Sequence, residues 1–284
     1  MQITELLEVI SHYRVLVVGD GIIDEYCYVT PLGKSPKENI ITNRFLRSEA
    51  FRGGVWAAAR HVEQFCAHVE VYSGPRVILK RRFLDDRIRK MYEVHIDAKN
   101  GEPGKLPDPS KFDMVIVADF GHGCVTNEVI ERLVDCSQFL AVNAQTNSAN
   151  YGFNLVSKYP KADLVVLDQL EARLATHDAD SPIDEVIKKL GFPKVIVTCG
   201  PEGSIGYSDD GTFHRANALT GPVVDTMGAG DAFFCVTAPF AKAGATMPQM
   251  LAVGNAAGAI KCGVVGHRNP VTKAALLEKL VSTP

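Results

Sequence analysis

Seven residues, Asp225-Thr226-Met227-Gly228-Ala229-Gly230-Asp231, stand between an extended apolar run and a long apolar segment with helical patterning. Small residues there let the backbone turn sharply and approach a ligand without a Cβ in the way. The helix is expected to begin near Ala229. The free amides of Ala229, Gly230 and Asp231, at the opening of that helix, would then form an anion site. A carboxylate in the first turn, Asp231, is placed to take a proton from an attacking hydroxyl. Dipoles for the charge on a transferred phosphoryl group, and a base for its nucleophile, are the parts of phosphoryl transfer. An Asp in a first turn also has a plain structural use, compensating the helix dipole. The heptad therefore has to be weighed with the rest of the chain.

Other candidates lie at strand ends, where α/β proteins carry ligands. The run "YRVLVVGD" ends in Gly19-Asp20. Asn143, Gln145 and Asn147 follow the strand "FLAVNA" and can read hydroxyls or phosphates. Thr198, Gly200 and Gly203 belong to "TCGPEGS", a glycine loop between two strands.

Those residues need a frame, and the pattern supplies one. "MQITELLEVIS" reads as a short amphipathic helix, and "GGVWAAARHVEQF" as Gly-Gly opening a helix. From residue 112 onward, strands such as "FDMVIVAD", "FLAVNA", "ADLVVLD" and "KVIVT" alternate with helices. Such alternation predicts an α/β fold with a mostly parallel sheet covered on both faces. Segments near 25–50 and 76–97 are extended but punctuated by Pro, Gly and charge. They predict a small β lid outside the main sheet, with "HVEVYS", "RVILKRRFL" and "IRKMYEVHI" as separate strands. A Pro/Gly-rich loop over 100–110 divides the lid from the later alternation. The 284 residues, 46% of them hydrophobic, suit a single domain covering 1–284.

Composition excludes several classes. Thirty Lys+Arg against 33 Asp+Glu give a net charge of −3, unlike a nucleic-acid or polybasic membrane binder. No apolar run is long enough to span a bilayer, and the first residues lack a signal-peptide layout. Seven scattered cysteines without a CxxC pair read as reduced thiols, so the expected location is cytoplasmic. The eight histidines show no HxxxH or HExxH spacing.

The whole heptad "DTMGAGD" resembles the second signature of the ribokinase-like (PfkB) carbohydrate kinases, and the resemblance extends over essentially the whole chain. It implies a ribokinase-like three-layer sandwich, ATP and Mg²⁺ as cofactors, and in some members a monovalent cation. By resemblance Asp231 is the catalytic base and the amides of Gly228, Ala229 and Gly230 form the anion hole, with Asp225 and Thr226 on the nucleotide side. Asp20 and Asp24 look like the sugar-binding acids of the first strand. "RGGVWAAARHVEQF" is similar to the first signature, which places Gly53 and Gly54 over the sugar. Thr198, Gly200 and Gly203 resemble the nucleotide-side loop, and Asn255 and Gly258 stand where the family lines the adenine pocket. Asp168 and Glu171 correspond to the family's Asn-x-x-Glu, which organises magnesium.

Within the family, "DEYCYVTPLGKSPKENI" resembles the kinase domain of the bifunctional heptose 7-phosphate kinase/heptose 1-phosphate adenylyltransferases. "VADFGHGCVT", with Asp119, is similar to their strand-end loop. This implies a phosphorylated heptose as acceptor, in surface-polysaccharide precursor synthesis, with Lys34, Lys80 and Arg82 as candidates for its phosphate. It also implies a nucleotidyltransferase acting in the same pathway and a homodimer formed through the lid. Four departures stand against the pattern. Ala57 replaces an Asn that normally helps hold the sugar. A helix and a strand are missing after "HVEVYSG". Asp168 replaces Asn. "NAQTNSANYGFN" replaces an Asp-Pro-Lys-Gly-type segment. Two alternatives therefore stay open: a kinase for another sugar or a nucleoside, and a catalytically weak regulatory subunit that binds nucleotide or sugar.

Overall fold

A computed structural model describes residues 1–99 and 104–282. The Pro/Gly-rich loop expected after the lid thus falls partly, at 100–103, outside the described residues. Helix α1 (Ile3–Ser11) buries Leu6, Leu7 and Ile10 on one face. Strand β1 (Arg14–Lys34) follows, then β2 (Ile41–Gly54), α2 (Val55–Val62), β3 (His68–Leu84) and β4 (Lys90–Lys99). The second half runs β5 (Met114–Asp119), α3 (Asn127–Cys136), β6 (Leu140–Ala144), β7 (Leu164–Asp168) and α4 (Gln169–Thr176). It continues through α5 (Ile183–Lys189), β8 (Lys194–Thr198), β9 (Ser204–Ser208) and β10 (Phe213–Ala216). Helices α6 (Ala229–Lys242), α7 (Met247–Cys262) and α8 (Lys273–Val281) close the chain.

These strands form one sheet in the order β10-β9-β8-β7-β6-β5-β1-β3-β4, with β2 on the distal part of β1. Strands β3, β1, β5, β6, β7 and β8 pair in parallel, and β9, β10, β2 and β4 are antiparallel additions. The alternation of buried side chains assigns the layers. Val15 and Val17 pack with α1, α2, α6 and α7, whereas Leu16 and Val18 pack with α3, α4 and α5. A strand buried on both faces must be apolar at consecutive positions, as "VLVV" is. Each such side chain contributes about 1.5–3 kcal/mol by leaving water.

The lid differs from its expected form. "HVEVYS" and "RVILKRRFL" are one strand, β3, interrupted by a bulge. Gly19 pairs with Ser73, yet Gly21 pairs with Val77. The bulge absorbs Gly74 and Pro75, which read as a strand break in the sequence. The lid is therefore the far half of β1 and β3, with β2 and β4 zipped onto its edges. Parallel pairing of β1 with β3 runs without another break from Gly21↔Val77 to Tyr28↔Leu84. Strand β10, four residues long, carried no periodic signal and was not expected.

Candidate active site

Helix α6 starts on Gly228, which caps it in the left-handed conformation at φ 72°. Asp231 lies in the first turn and is partly exposed. The Gln145 side-chain amide donates to Asp231 Oδ1. It also donates to Asn143 Oδ1 at 2.8 Å, and Asn143 Nδ2 donates to the Val166 carbonyl at 2.8 Å. A relay of amides from β6 and β7 thus fixes the carboxylate of α6. Burial pushes the Asp231 pKa up, opposed by the nearby His267 and by the Gln145 hydrogen bond. The result is a carboxylate with more proton affinity than an exposed one, which suits a base. Asn143, Gln145, Asp168, Glu171, Gly230 and Asp231 border a cavity of about 190 Å³.

On the far side of Gly230 lies a larger cavity of about 550 Å³. Thr198, Gly200, Gly203, Thr226, Asn255 and Gly258 all line it, as do Ala229 and Gly230. Its size falls in the usual range for small-molecule sites. Asn255 donates to the Ala216 and Asn217 carbonyls at 3.2 and 3.1 Å, holding the chain after β10 as one wall. Gly203 has φ 99°, and a Cβ there would meet the Ala216 carbonyl oxygen at 2.0 Å. Leu219, Pro222 and Phe233 complete the apolar lining, and sequence reasoning missed them. The Gly221-Pro222 pair was the signal available for that wall.

Asp225, expected on the nucleotide side, does not line this cavity. Its carboxylate is buried under the lid and accepts from the Tyr26 hydroxyl at 2.6 Å, Lys90 Nζ at 2.8 Å and the amides of Gly266 and Met227. Burial alone would raise its pKa, but Lys90, Tyr26 and the two amides hold it well below the usual carboxylate range. It fastens the heptad to the lid. Lys261, fully buried, does the same from α7, donating to the Met227 and Gly266 carbonyls, each at 2.7 Å.

The acceptor side is crowded with charge. Asp24 is 3% exposed, ion-paired with Arg82 through Oδ1 and 3.2 Å from His267 Nε2 through Oδ2. Burial raises its pKa, yet His267 and Arg82 outweigh burial and hold it down. A Cβ at Gly53 would lie 1.9 Å from Asp24 Oδ2, so only glycine lets β2 pass this carboxylate. Gly54 caps α2. Ala57, where the family carries Asn, is buried beside His267 and lines a cavity of only about 10 Å³ with it. His267 is the residue sequence reasoning missed here; nothing in its neighbours marks it.

Two more of the expected acids are bonded within the protein. Asp20 accepts the Phe120 and Cys124 amides, both at 2.9 Å, and is 1% exposed. Asp119 accepts from Tyr159, Lys158, Asn154 and the Gly121 amide. Both carboxylates are buried and hold the loop after β5. Asn147 is similar, donating to the Phe120 carbonyl at 2.7 Å.

The expected magnesium pair fits in part. Asp168 caps α4, its Oδ1 accepting the Glu171 amide at 2.7 Å, and it is exposed to the smaller cavity. Glu171 returns the bond to the Asp168 amide at 2.8 Å with one oxygen and takes the Thr146 amide at 3.0 Å with the other. Burial and the Asp168 charge raise the Glu171 pKa. A hard cation needs a carboxylate oxygen it can share. Asp168 has one to offer, whereas both Glu171 oxygens are committed to backbone amides.

A three-layer sandwich of this topology is the ribokinase fold, and here a carboxylate stands beside a helix N-terminus at the edge of a ligand-sized cavity. Residues 153–274 match the family described as pfkB family carbohydrate kinase, which indicates an ATP-dependent carbohydrate kinase. The chain is similar to the Bifunctional protein HldE of Bradyrhizobium diazoefficiens, with 24% identity over 92% of this chain and 62% of that protein. The chain thus spans less than two thirds of that curated relative. The ribokinase of Arabidopsis thaliana, solved with ribose and ATP, superposes with a TM-score of 0.71 at 15% identity, covering 95% of this chain and 99% of that one. Phosphofructokinase-2 of Escherichia coli, solved in complex with potassium, gives 0.68 at 14% identity over 95% and 98%. These two likenesses concern the fold.

Proposed function

We propose that this chain, acting as a single kinase domain, transfers the γ-phosphate of ATP to a hydroxyl of a phosphorylated sugar, with a heptose phosphate as the preferred acceptor. The observation that carries this reading is the position of Asp231. It stands between the 550 Å³ cavity and the lid acids, at the mouth of the α6 amides. The nucleotide would occupy the larger cavity, its phosphates directed at Gly228, Ala229 and Gly230. The acceptor would lie under the lid, oriented by Asp24 and the backbone of Gly53 and Gly54. Asp231 takes the hydroxyl proton as the oxygen attacks the γ-phosphorus. The bond to the β-phosphate oxygen breaks, and ADP leaves with the electron pair. The α6 amides stabilise the charge spread over the transferred group. The remaining Asp168 oxygen would hold magnesium through water, and the ion would neutralise the β- and γ-phosphates. Lid closure excludes water from the transfer.

Further parts of the reading rest on likeness. The relative's bifunctional description supports a nucleotidyltransferase partner, and the potassium complex supports a monovalent cation. A homodimer through the lid is supported by Leu32, Ile41, Phe45 and Leu46, each more than half exposed on the lid strands. No described helix is long and apolar enough to cross a membrane, which is compatible with a cytoplasmic enzyme.

One observation favours a second reading. Arg82 and His267 already occupy both oxygens of Asp24, and Ala57 lacks the family amide. A regulatory subunit that binds nucleotide would tolerate that. The deciding measurement is ATP consumption with Mg²⁺ against sugars, sugar phosphates and nucleosides. Turnover with a heptose phosphate supports the first reading. Nucleotide binding without turnover on any acceptor replaces it with the second.

A further inference from the structure

The lid strands arrange their inward side chains in rows. Asp24 on β1 pairs with Lys80 on β3, and Lys80 with His95 on β4. Two residues further on, Tyr26 pairs with Arg82, and Arg82 with Glu93. The second row is satisfied within itself and with Asp24, because Arg82 is ion-paired to both Asp24 and Glu93. The first row is not. Lys80 is only 6% exposed, and among the described residues its ammonium has neither a hydrogen bond nor an ion pair. Beside it His122, also 6% exposed, has a buried Nε2 with no hydrogen-bond partner.

Several observations place these two groups together. After burial, the charge of Lys80 is the strongest influence on His122, ahead of that of His95, and together they hold the imidazole neutral, with a pKa of about 4. The His122 and His95 rings meet edge to face at 6.4 Å. Lys80 in turn feels Asp24, Arg82, Glu93 and Asp231. Lys80 is paired with Asp24 across β1 and β3 and joined to His122 through the His95 ring, so the two groups lie on the lid side of the cleft, where the acceptor is placed above. They stand on β3 and the loop after β5, while the nucleotide cavity opens beyond β7 and β8. The His122 loop is itself tied down by Asp20.

Native interiors rarely leave a buried imidazole nitrogen without a partner, and here it lies beside an ammonium that has none either, a pairing suited to an anion. Both oxygens of Asp24 are taken by Arg82 and His267, so Asp24, although paired with Lys80 across the strands, makes no direct bond to its ammonium. We infer that Lys80 and His122 form a subsite for an anionic ester group carried by the acceptor itself, distinct from the ATP phosphates. Lys80 supplies the charge, and neutral His122 donates from Nε2. Of the three basic candidates in the sequence, Lys34 is exposed on the lid and Arg82 is committed, which leaves Lys80. The inference rests on the kinase reading for the position of the acceptor hydroxyl.

The test is calorimetry on the full chain saturated with a non-hydrolysable ATP analogue and Mg²⁺. Aldose phosphates of six and seven carbons are titrated against their unphosphorylated parents. At least one ester should bind about tenfold or more tighter than its parent, the size of a charged hydrogen-bonded contact. Lys80→Met should abolish that difference, Lys80→Arg should restore most of it, and His122→Phe should reduce it several-fold. Binding of the analogue should stay within about twofold in all three. Equal binding of ester and parent by the wild type, or a preference that survives in Lys80→Met, overturns the inference. Should Lys80→Met fail to fold, an unreduced preference in His122→Phe overturns it instead. Failure of the analogue to bind the wild type would instead strike the kinase reading, while ester binding lost in Lys80→Met would still support the anion subsite.

Discussion

The two walls of the cleft are built from different materials. The wall proposed for the nucleotide is backbone, small side chains and apolar surface: Gly200, Gly203, Gly258, Leu219 and Phe233 around an open cavity of about 550 Å³. The acceptor wall is interlocked charge: Asp24 with Arg82 and His267, Arg82 with Glu93, Asp225 with Lys90 and Tyr26. A wall of amides and glycines recognises phosphate by shape and dipole, and it is complete before a ligand arrives. A wall of paired side chains is stable only with every partner present. The difference predicts that damage to the two walls separates in assays.

The largest effect should come from the residue they share. Asp231→Asn removes the proton acceptor but keeps the Gln145 contact and the α6 amides. Turnover should fall by about 10²–10⁴ while ATP affinity stays within a few-fold. Equal loss of turnover and ATP binding would mean that Asp231 builds the nucleotide wall instead of serving the hydroxyl.

The next effect separates the walls by one methyl each. Gly203→Ala pushes a Cβ against the Ala216 carbonyl in a left-handed backbone, and Gly53→Ala pushes one into Asp24 Oδ2. Each should destabilise the fold by about 1–3 kcal/mol. Gly203→Ala should raise the KM for ATP, and Gly53→Ala the KM for the acceptor, as measured by steady-state kinetics. Both variants raising the same KM would erase the distinction between the walls.

The sequence disclosed these walls unequally, for a physical reason. Amide recognition requires glycines at fixed short spacings, so "DTMGAGD" and "TCGPEGS" can be read locally. Recognition by side chains depends on strand register and on long-range pairing. Asp20 and Asp24 look alike in "GDGIIDE", yet one is spent on the amides of Phe120 and Cys124 and the other faces Arg82 and His267. Nothing local distinguishes them. His267 lies in a polar stretch whose course is set from afar, by Arg60 donating to the His267 and Arg268 carbonyls and by Lys261. The sandwich itself was legible, because buried parallel strands must be continuously apolar. The unity of β3 was hidden, because Gly74 and Pro75 signal a break whether they end a strand or bulge it.

The smallest predicted effect appears on acidification and belongs to the acceptor wall. His61 on α2 is 2% exposed, and its Nδ1 accepts the Val271 amide at 3.0 Å, which requires a neutral ring. Burial, then the charges of His267, Lys261 and Arg60, lower its pKa to about 3. An unfolded histidine takes its proton near pH 6.5. Between these values the unfolded state binds more protons than the folded one. The contribution of His61 is therefore whole above about pH 6.5 and is lost as pH falls toward 3, amounting to about 2 kcal/mol by pH 5. His61→Gln keeps an acceptor for Val271 without the titration. In denaturant melts the wild type should lose about 1–2 kcal/mol more than His61→Gln between pH 7 and pH 5. Hydrogen exchange over that range should rise first in α2 and around 266–271, before α7. Parallel losses in the two proteins, or earlier exchange in α7, would show that protonation of His61 does not govern the acid sensitivity of the acceptor wall.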